Sequence, residues 1–495
     1  MSSAPLKTIP ETFAGADVFI TGGSGFMGKV LIEKLLRSCP GINQVFVLIR
    51  PKKGKTPEER IDELVQIPLF DVLRKTRPED LRKIIPISGD CSVLKLDLDE
   101  TSLKRLENVQ FVFHAAASVR FDDPLAKAIL LNTRGTREVC RWAETLKNLK
   151  AIVHISTTFC NPEIFDVEER IYPAKMDWRK AIEIAENVDP ETLEILSQKL
   201  TDSAPNTYTF TKGLAEQICH DYRSTLPLII FRPSVVTNTE AEPIPGWIDN
   251  FNGPMGMMLG CATGVLRTGN VKLENHINCI PADVAIKAIL VAAWKRANHP
   301  EDGLAIYNCA AEPHKTVTYK FLITDGEFVC YRAPTLKILW APGGSSTDFV
   351  YLYYLMFFLA QLVPAVLIDL LLKARNRKPF LTKLQRRIFH AQTSLKYFSD
   401  NEWLIRTDNF RALARELHDS DRQWFNINYM CDGLVWYYFT CTLGGRRYLF
   451  KESDDTIPAA IKKLRRYMMI DRVIKLSAVF AFLKIIYSKY FVDDS

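Results

Sequence analysis

Tyr208 and Lys212 stand four residues apart in a stretch, 207–223, whose spacing predicts a helix, so a phenol and an ammonium share one face. A free phenol titrates near ~10 and relays protons poorly at neutral pH unless a nearby cation stabilises the phenolate, and Lys212 can supply that cation. Upstream, an apolar run ends in Ile155-Ser156-Thr157-Thr158, which puts hydroxyls at the carboxyl end of a strand. One of them can hydrogen-bond a reacting oxygen beside the tyrosine. Near the N-terminus, Thr21-Gly22-Gly23-Ser24-Gly25-Phe26-Met27-Gly28 joins a predicted strand to a predicted helix. Glycines there allow a tight turn and close helix-on-strand packing, and they let backbone N–H groups approach a pyrophosphate that the helix N-terminus attracts. Gly23 to Lys29 also fits the start of a triphosphate-binding loop, but that motif needs Ser or Thr next to hold magnesium, and the residue is Val30.

Twenty-two residues after Gly28 comes Arg50, with Lys52 and Lys53 close behind. A cofactor with a free 2′-hydroxyl calls for an acid at this point and a 2′-phosphate calls for a cation, so NADPH is expected. Asp90, after Ser88-Gly89, ends the next strand-like stretch, where a carboxylate can accept from the adenine amino group.

These residues need a scaffold. Continuously apolar runs at 17–21, 44–49, 111–114, 151–156, 228–232 and 306–309 alternate with helical stretches at 25–37, 125–149 and 207–223. Such a pattern predicts an α/β fold: a doubly wound parallel Rossmann sheet, with ligands outside the carboxyl ends of its strands. We expect this dinucleotide-binding reductase domain to span residues 1–330, followed by a membrane-associated segment over 331–383. A smaller C-terminal α-helical domain over 384–470 and an apolar tail over 471–495 complete the chain.

The membrane expectation rests on residues 349–368, which carry no charge and approach the length of a bilayer-spanning helix. Aromatic residues Trp340, Tyr351, Tyr353 and Tyr354 crowd one end, and residues 373–387 hold seven basic and no acidic side chains at the other. The catalytic residues precede this segment and the basic stripe follows it, and both belong on the cytosolic side. Residues 349–372 are therefore expected to enter the membrane and return with a bend near Pro364, or to lie in the interface.

Composition excludes several classes. Of 495 residues, 47% are apolar and 24% charged, as in a packed globular protein. A net charge of +7 spread over this length is too mild for a nucleic-acid binder. Eleven cysteines without a CxxC pair argue against a zinc ribbon or a disulfide framework and for a reducing compartment. The eight histidines lack metal-ligand spacing, so no metal is expected, and no Gly-x-Ser-x-Gly elbow supports hydrolysis. Residues 1–17 contain no apolar signal-peptide core, and 492–495 form no receptor-read address, so a cytosol-facing protein is expected.

Further stretches narrow the reading: HAAASVRFD at 114–122, VHIST at 153–157, PNTYTFTK at 205–212, RPSVV at 232–236 and EPIPGWIDN at 242–250. With the glycine loop and the Tyr208/Lys212 pair, they resemble the extended short-chain dehydrogenase/reductase superfamily and, within it, the alcohol-forming fatty acyl-CoA reductases of insects and animals. The resemblance continues through Pro364-Ala365, Asn401-Glu402-Trp403 and Gly444-Gly445-Arg446-Arg447-Tyr448, nearly the whole chain. It implies reduction of a long-chain acyl-CoA to the primary alcohol with two NADPH at a membrane, most naturally the endoplasmic reticulum. Tyr208 would protonate the carbonyl oxygen, Lys212 would tune it and hold the ribose, and Thr157 rather than Ser156 would orient the oxygen. Thr21, Gly22, Gly25, Phe26, Met27, Gly28, Arg50 and Asp90 would line the cofactor. Gln361 and Lys287 depart from the family's frequent histidine and asparagine, which bears on chain length and membrane geometry. Two alternatives stay open: a membrane-bound hydroxysteroid dehydrogenase of the same superfamily, and a dinucleotide-binding protein that has lost catalysis.

Overall fold

The computed structural model describes residues 7–491 apart from 53, 203, 301–302 and 430–432. Lys53, the first six residues and the terminal 492–495 named above lie outside the described residues. Seven strands form one sheet: β1 (Asp17–Thr21), β2 (Gln44–Ile49), β3 (Ile84–Ser88), β4 (Val109–His114), β5 (Ala151–Ile155), β6 (Leu228–Pro233) and β7 (Ala305–Cys309). Their order is β3-β2-β1-β4-β5-β6-β7 and every pairing is parallel. Helices cover both faces, which is why the strand residues are apolar in unbroken runs; Val18, Phe19 and Ile20 of β1 are all fully buried. The order reverses between β1 and β4, and that crevice is where a doubly wound sheet receives its ligand.

Three helices carry the residues of interest: α1 (Phe26–Ser38), α2 (Pro57–Val65) and α3 (Thr207–Asp221). The helix expected over 125–149 ends at Ala143 and includes a π-helical turn, Ile129–Arg134. One long helix, Ala282–Asn298, had no counterpart in the sequence reading. It is apolar almost all round and nearly every residue is buried, so it lacks the one-sided periodicity that marks a surface helix.

By contact the chain divides into two interleaved units rather than the consecutive segments 1–330, 331–383, 384–470 and 471–495. The first comprises Met1–Trp247, Asn278–Thr316 and Asn401–Cys431, and the second comprises Ile248–Ile277, Val317–Asp400 and Asp432–Ser495. Pairing at a distance is the reason: Leu404–Ile405 lies parallel to Asp166–Val167, and the Glu169 carboxylate accepts from the backbone N–H groups of Asn409 and Phe410. These bonds bring 401–431 back to the sheet-bearing unit.

In the second unit, Val350–Ala374 forms one helix long and apolar enough to cross a membrane by length and composition. It is continuous through Pro364, which corrects the expected re-entrant bend. A π-helical turn, Phe358–Leu362, precedes the proline and gives the chain room where the ring removes a donor and crowds the preceding turn. Tyr353, Phe357, Gln361, Ala365 and Asp369 are its buried stripe. Gln361 accepts from Arg267 N (2.8 Å) and donates to Thr268 Oγ1 (2.8 Å), and Tyr353 Oη donates to Gln392 (2.6 Å). Asp369 accepts from the N–H groups of Phe380, Leu381 and Thr382, capping the following helix, Leu381–Asp400. The polar groups thus face protein, and Tyr351, Leu355, Phe358, Leu359, Leu367, Leu370 and Leu371 face outward. The C-terminal helix runs unbroken over Ile457–Phe491, so residues 471–491 of the expected tail continue it.

Candidate active site

Two glycines of the first loop are required by geometry. Gly22 has φ +73°, and a Cβ there would lie 2.6 Å from the Ala115 backbone; at Gly28 a Cβ would meet Gly22 O at 2.3 Å. Gly25 N donates to Gly22 O (2.9 Å), closing the turn, and Gly25 then caps α1 with no side chain on its first N–H groups. Those uncapped donors, in a cradle that any Cβ would fill, fit the pyrophosphate of a dinucleotide. Phe26, the first residue of α1, stacks on Trp247 at 5.4 Å, and Met27 beside it is half-buried. The Thr21 hydroxyl is engaged within the sheet: it lies 2.7 Å from His114 Nδ1 and accepts from Ala116 N at 3.2 Å. It therefore holds β1 to β4, and its carbonyl does the same by accepting from Ala115 N at 3.2 Å.

Arg50 and Asp90 follow adjacent strands β2 and β3, and the structure brings them together, with Arg50 Nη1 3.6 Å from Asp90 Oδ2. Asp90 Oδ1 accepts from both Ser92 N and Ser92 Oγ at 2.8 Å. Arg60 of α2, which the sequence reading missed, donates to the Arg50 carbonyl and reaches Ser24 Oγ of the glycine loop at 3.5 Å. Two cations therefore border the place where a 2′-phosphate would lie. Arg60 belongs to a helix whose docking depends on tertiary packing, and no local motif marks it.

On α3, Tyr208 and Lys212 lie one turn apart. Thr157, just past the end of β5, lies near enough to Tyr208 for its hydroxyl to favour the phenolate. Burial pushes the Tyr208 phenol up, against the pull of Thr157, so it keeps its proton at neutral pH; the expected lowering by Lys212 is not among the influences on it. The Tyr208 ring stacks on Phe121 at 6.0 Å. Lys212 is buried and its Nζ donates to the Ile155 carbonyl (2.6 Å), which fixes the ammonium behind the tyrosine. Burial brings Lys212 down to about 8, opposed by Cys219, Glu216 and Cys160. Behind it, His114 and His154 are fully enclosed and stay neutral, and burial pushes His114 down to about 3. Among the described residues no group of three or more His, Cys, Asp or Glu side chains is placed to hold a metal ion.

Ser156 and Thr157 part company here. Ser156 Oγ donates to Glu216 Oε1 (2.6 Å) inside a buried pair with Arg232, which leaves Thr157 as the hydroxyl beside the phenol. Asn132, on the π-helical turn, bonds the Ser118 backbone N–H (2.8 Å) and carbonyl (3.2 Å) and donates to Thr211 (3.0 Å), tying that turn to α3. Sequence reasoning missed Asn132 and Glu216 and gave Arg232, quoted there only within RPSVV, no role; their signal was polarity inside otherwise apolar stretches.

A family model described as male sterility protein matches residues 20–289, a range that holds the glycine loop, Thr157, Tyr208 and Lys212, and a second of the same description matches 360–452. The chain is 37% identical to "Fatty acyl-CoA reductase wat" of Drosophila melanogaster over 457 residues, covering 92% of this chain and 88% of the relative. It is 34% identical to "Fatty acyl-CoA reductase 1" of Homo sapiens over 473 residues, covering 93% and 90%. The chain belongs to the fatty acyl-CoA reductase family. This fatty acyl-CoA reductase is an oxidoreductase with a nicotinamide-cofactor domain. Its fold is similar to the terminal R domain of the myxalamid pathway (TM-score 0.58, 17% identity, 88% of this chain and 92% of that one). A reductase domain of a nonribosomal peptide synthetase from Mycobacterium tuberculosis is also similar (TM-score 0.57, 18% identity, 90% and 93%). These likenesses concern the fold, and they agree with the parallel-sheet fold expected from the sequence.

Proposed function

We propose that this reductase converts a long-chain fatty acyl-CoA to the primary alcohol at the expense of two NADPH. What supports the reading is that Thr157, Tyr208 and Lys212 gather at the carboxyl end of β5, in the same parallel sheet whose β1 runs out into the glycine loop and the uncapped start of α1. When bound, the nicotinamide supplies the hydride. The glycine cradle and the α1 N-terminus would hold the pyrophosphate, Arg50 and Arg60 would meet the 2′-phosphate, Asp90 would accept from adenine and Lys212 would meet the ribose. In the first reduction hydride adds to the thioester carbon, the C–S bond breaks with coenzyme A leaving as its thiolate, and an aldehyde remains. In the second, Tyr208 gives its proton to the carbonyl oxygen that Thr157 orients, and the alcohol forms. Incubating the purified chain with palmitoyl-CoA and either NADPH or NADH, followed by lipid product analysis, tests this. Hexadecanol formed at the expense of NADPH is expected; no product, or equal use of NADH, refutes the corresponding part.

We also propose that the second unit seats the protein on the cytosolic face of the endoplasmic reticulum membrane. The helix Val350–Ala374 is apolar outward and polar inward, the reverse of a soluble surface helix. Lys373, Arg375, Arg377, Lys378, Lys383, Arg386 and Arg387 are exposed beside it, and none forms an ion pair among the described residues. One side of the helix is committed to its own unit through Tyr353, Gln361 and Asp369. It therefore lies in the interface with its apolar face in lipid and the cations at anionic headgroups.

A further inference from the structure

Tyr208, Lys212 and Glu216 follow one another at intervals of four along α3 and so share one face, but only the first two reach the reacting groups. Glu216 is buried and holds three partners. Arg232 of β6, itself fully buried, grips it with two hydrogen bonds, Nε to Oε1 (2.8 Å) and Nη2 to Oε2 (2.6 Å). Ser156 donates to Oε1 (2.6 Å), and the Cys160 thiol does so at 3.2 Å. Arg232 also donates to the carbonyls of Glu168 (3.1 Å) and Arg170 (2.9 Å), directly after the residues 166–167 that pair with 404–405.

A buried ion pair is poor evidence for stability by itself, because desolvation cancels much of its attraction. What this pair does is geometric. Ser156 directly precedes Thr157, and the peptide between them joins the end of β5 to the residue that addresses the phenol. Glu216 therefore fastens the strand end bearing Thr157 to the helix bearing Tyr208 and Lys212, and Arg232 extends the fastening to β6. We propose that Glu216, set by Arg232 and acting through Ser156, is a positioning residue that holds Thr157 in register with Tyr208 for the reduction. The inference rests on the proposed function, since it assigns a part in that reaction. A misplacement of about 1 Å at a reacting group can lower a rate about 100-fold.

Lys212 supplies a second consequence. The groups facing its ammonium are Glu216 and Cys219 from α3, Cys160 from the segment after β5, His154 from β5 and His114 from β4. The histidines are neutral and the thiols are buried and protonated, so Glu216 is the one formal negative charge in that set, and its charge favours the protonated lysine.

The test is kinetic and uses the full chain with palmitoyl-CoA and NADPH. Glu216→Gln leaves Arg232 buried without its partner and can fail to fold, so Ser156→Ala, which removes one hydrogen bond and leaves the ion pair intact, is the primary variant. We expect kcat per folded enzyme to fall about tenfold to 100-fold, with the KM for NADPH within about twofold of wild type. Ser156→Thr, which keeps the hydroxyl, should restore most of kcat. Where Glu216→Gln folds, the basic limb of its pH–rate profile should also move to lower pH. A merely structural role predicts lower thermal stability with kcat per folded enzyme unchanged, and that result overturns the proposal. Wild type run in parallel separates the two claims: an inert wild type overturns the proposed function and this proposal with it, whereas an active wild type with fully active Ser156→Ala overturns this proposal alone.

Discussion

Arg50 Nη1 stands 3.6 Å from the Asp90 carboxylate because the two residues follow neighbouring parallel strands, β2 and β3, at matching depths. With 57% of its side chain exposed, Arg50 gains little from this pair as a contribution to stability. The value of the arrangement is orientation: the carboxylate holds a long, mobile side chain at the rim of the cofactor crevice, and Arg60 braces its backbone from behind.

Arg50→Ala should therefore weaken NADPH binding roughly tenfold to 100-fold, the size of a charge-assisted hydrogen bond, and leave NADH unchanged. Fluorescence titration of both cofactors measures it. Equal losses would make Arg50 a scaffold residue. Arg60→Ala should shift the same ratio in the same direction.

Tyr208→Phe keeps the ring against Phe121 and removes only the proton donor. Alcohol formation should fall about 10²–10⁴-fold with NADPH affinity nearly intact. A variant retaining more than about a tenth of the wild-type kcat would remove Tyr208 from the acid role.

Lys212 contributes as a cation, and burial brings it down to about 8. Activity should accordingly decline as pH rises through about 8, the direction in which the ammonium loses its proton. The stability effect has the opposite sign. An unfolded lysine holds its proton to about 10.4, so between about 8 and that value the unfolded state binds more protons, and the cost of burying the charge is relieved as pH rises. Lys212→Met should lower both turnover and NADPH affinity at neutral pH. Affinity unaltered by the change would show that Lys212 does not meet the ribose.

Replacing Leu355, Leu359 and Leu367 together by glutamate puts charge on the outward face of the helix Val350–Ala374 without touching its buried stripe. Flotation with phosphatidylserine-containing vesicles should be lost while the thermal transition stays near wild type. Changing Lys373, Arg375, Arg377 and Lys378 to glutamine should reduce flotation on anionic vesicles and have little effect on neutral ones, since each cation near an anionic surface is worth about 1 kcal/mol. Retained flotation of the triple glutamate variant would exclude this helix as the lipid contact.

The parts legible in the sequence are those decided within a few residues. A glycine at positive φ followed by a helix start, as at Gly22–Phe26, is a local backbone requirement. The sharing of a face by Tyr208 and Lys212 follows from helical pitch alone, and strands covered on both sides announce themselves as apolar runs. From these came the parallel sheet, the crevice and most of the residues beside it. The helix Ala282–Asn298 escaped because uniform burial erases periodicity.

The tertiary structure decided everything that depends on what a side chain meets far along the chain. Ser156 and Thr157 are chemically almost interchangeable and adjacent, and only the distant Glu216–Arg232 pair, which takes the first hydroxyl, leaves the second for the phenol. Arg60 comes to Arg50 through the docking of a helix, and 401–431 returns to the sheet-bearing unit through a pairing with 166–167 more than two hundred residues earlier. Along 350–374, hydropathy counts how many residues are apolar but not which way they point. Bonds from Gln361 to Thr268 and from Asp369 to the 380–382 backbone turned the polar stripe inward, kept the helix continuous through Pro364 and left its apolar face outside.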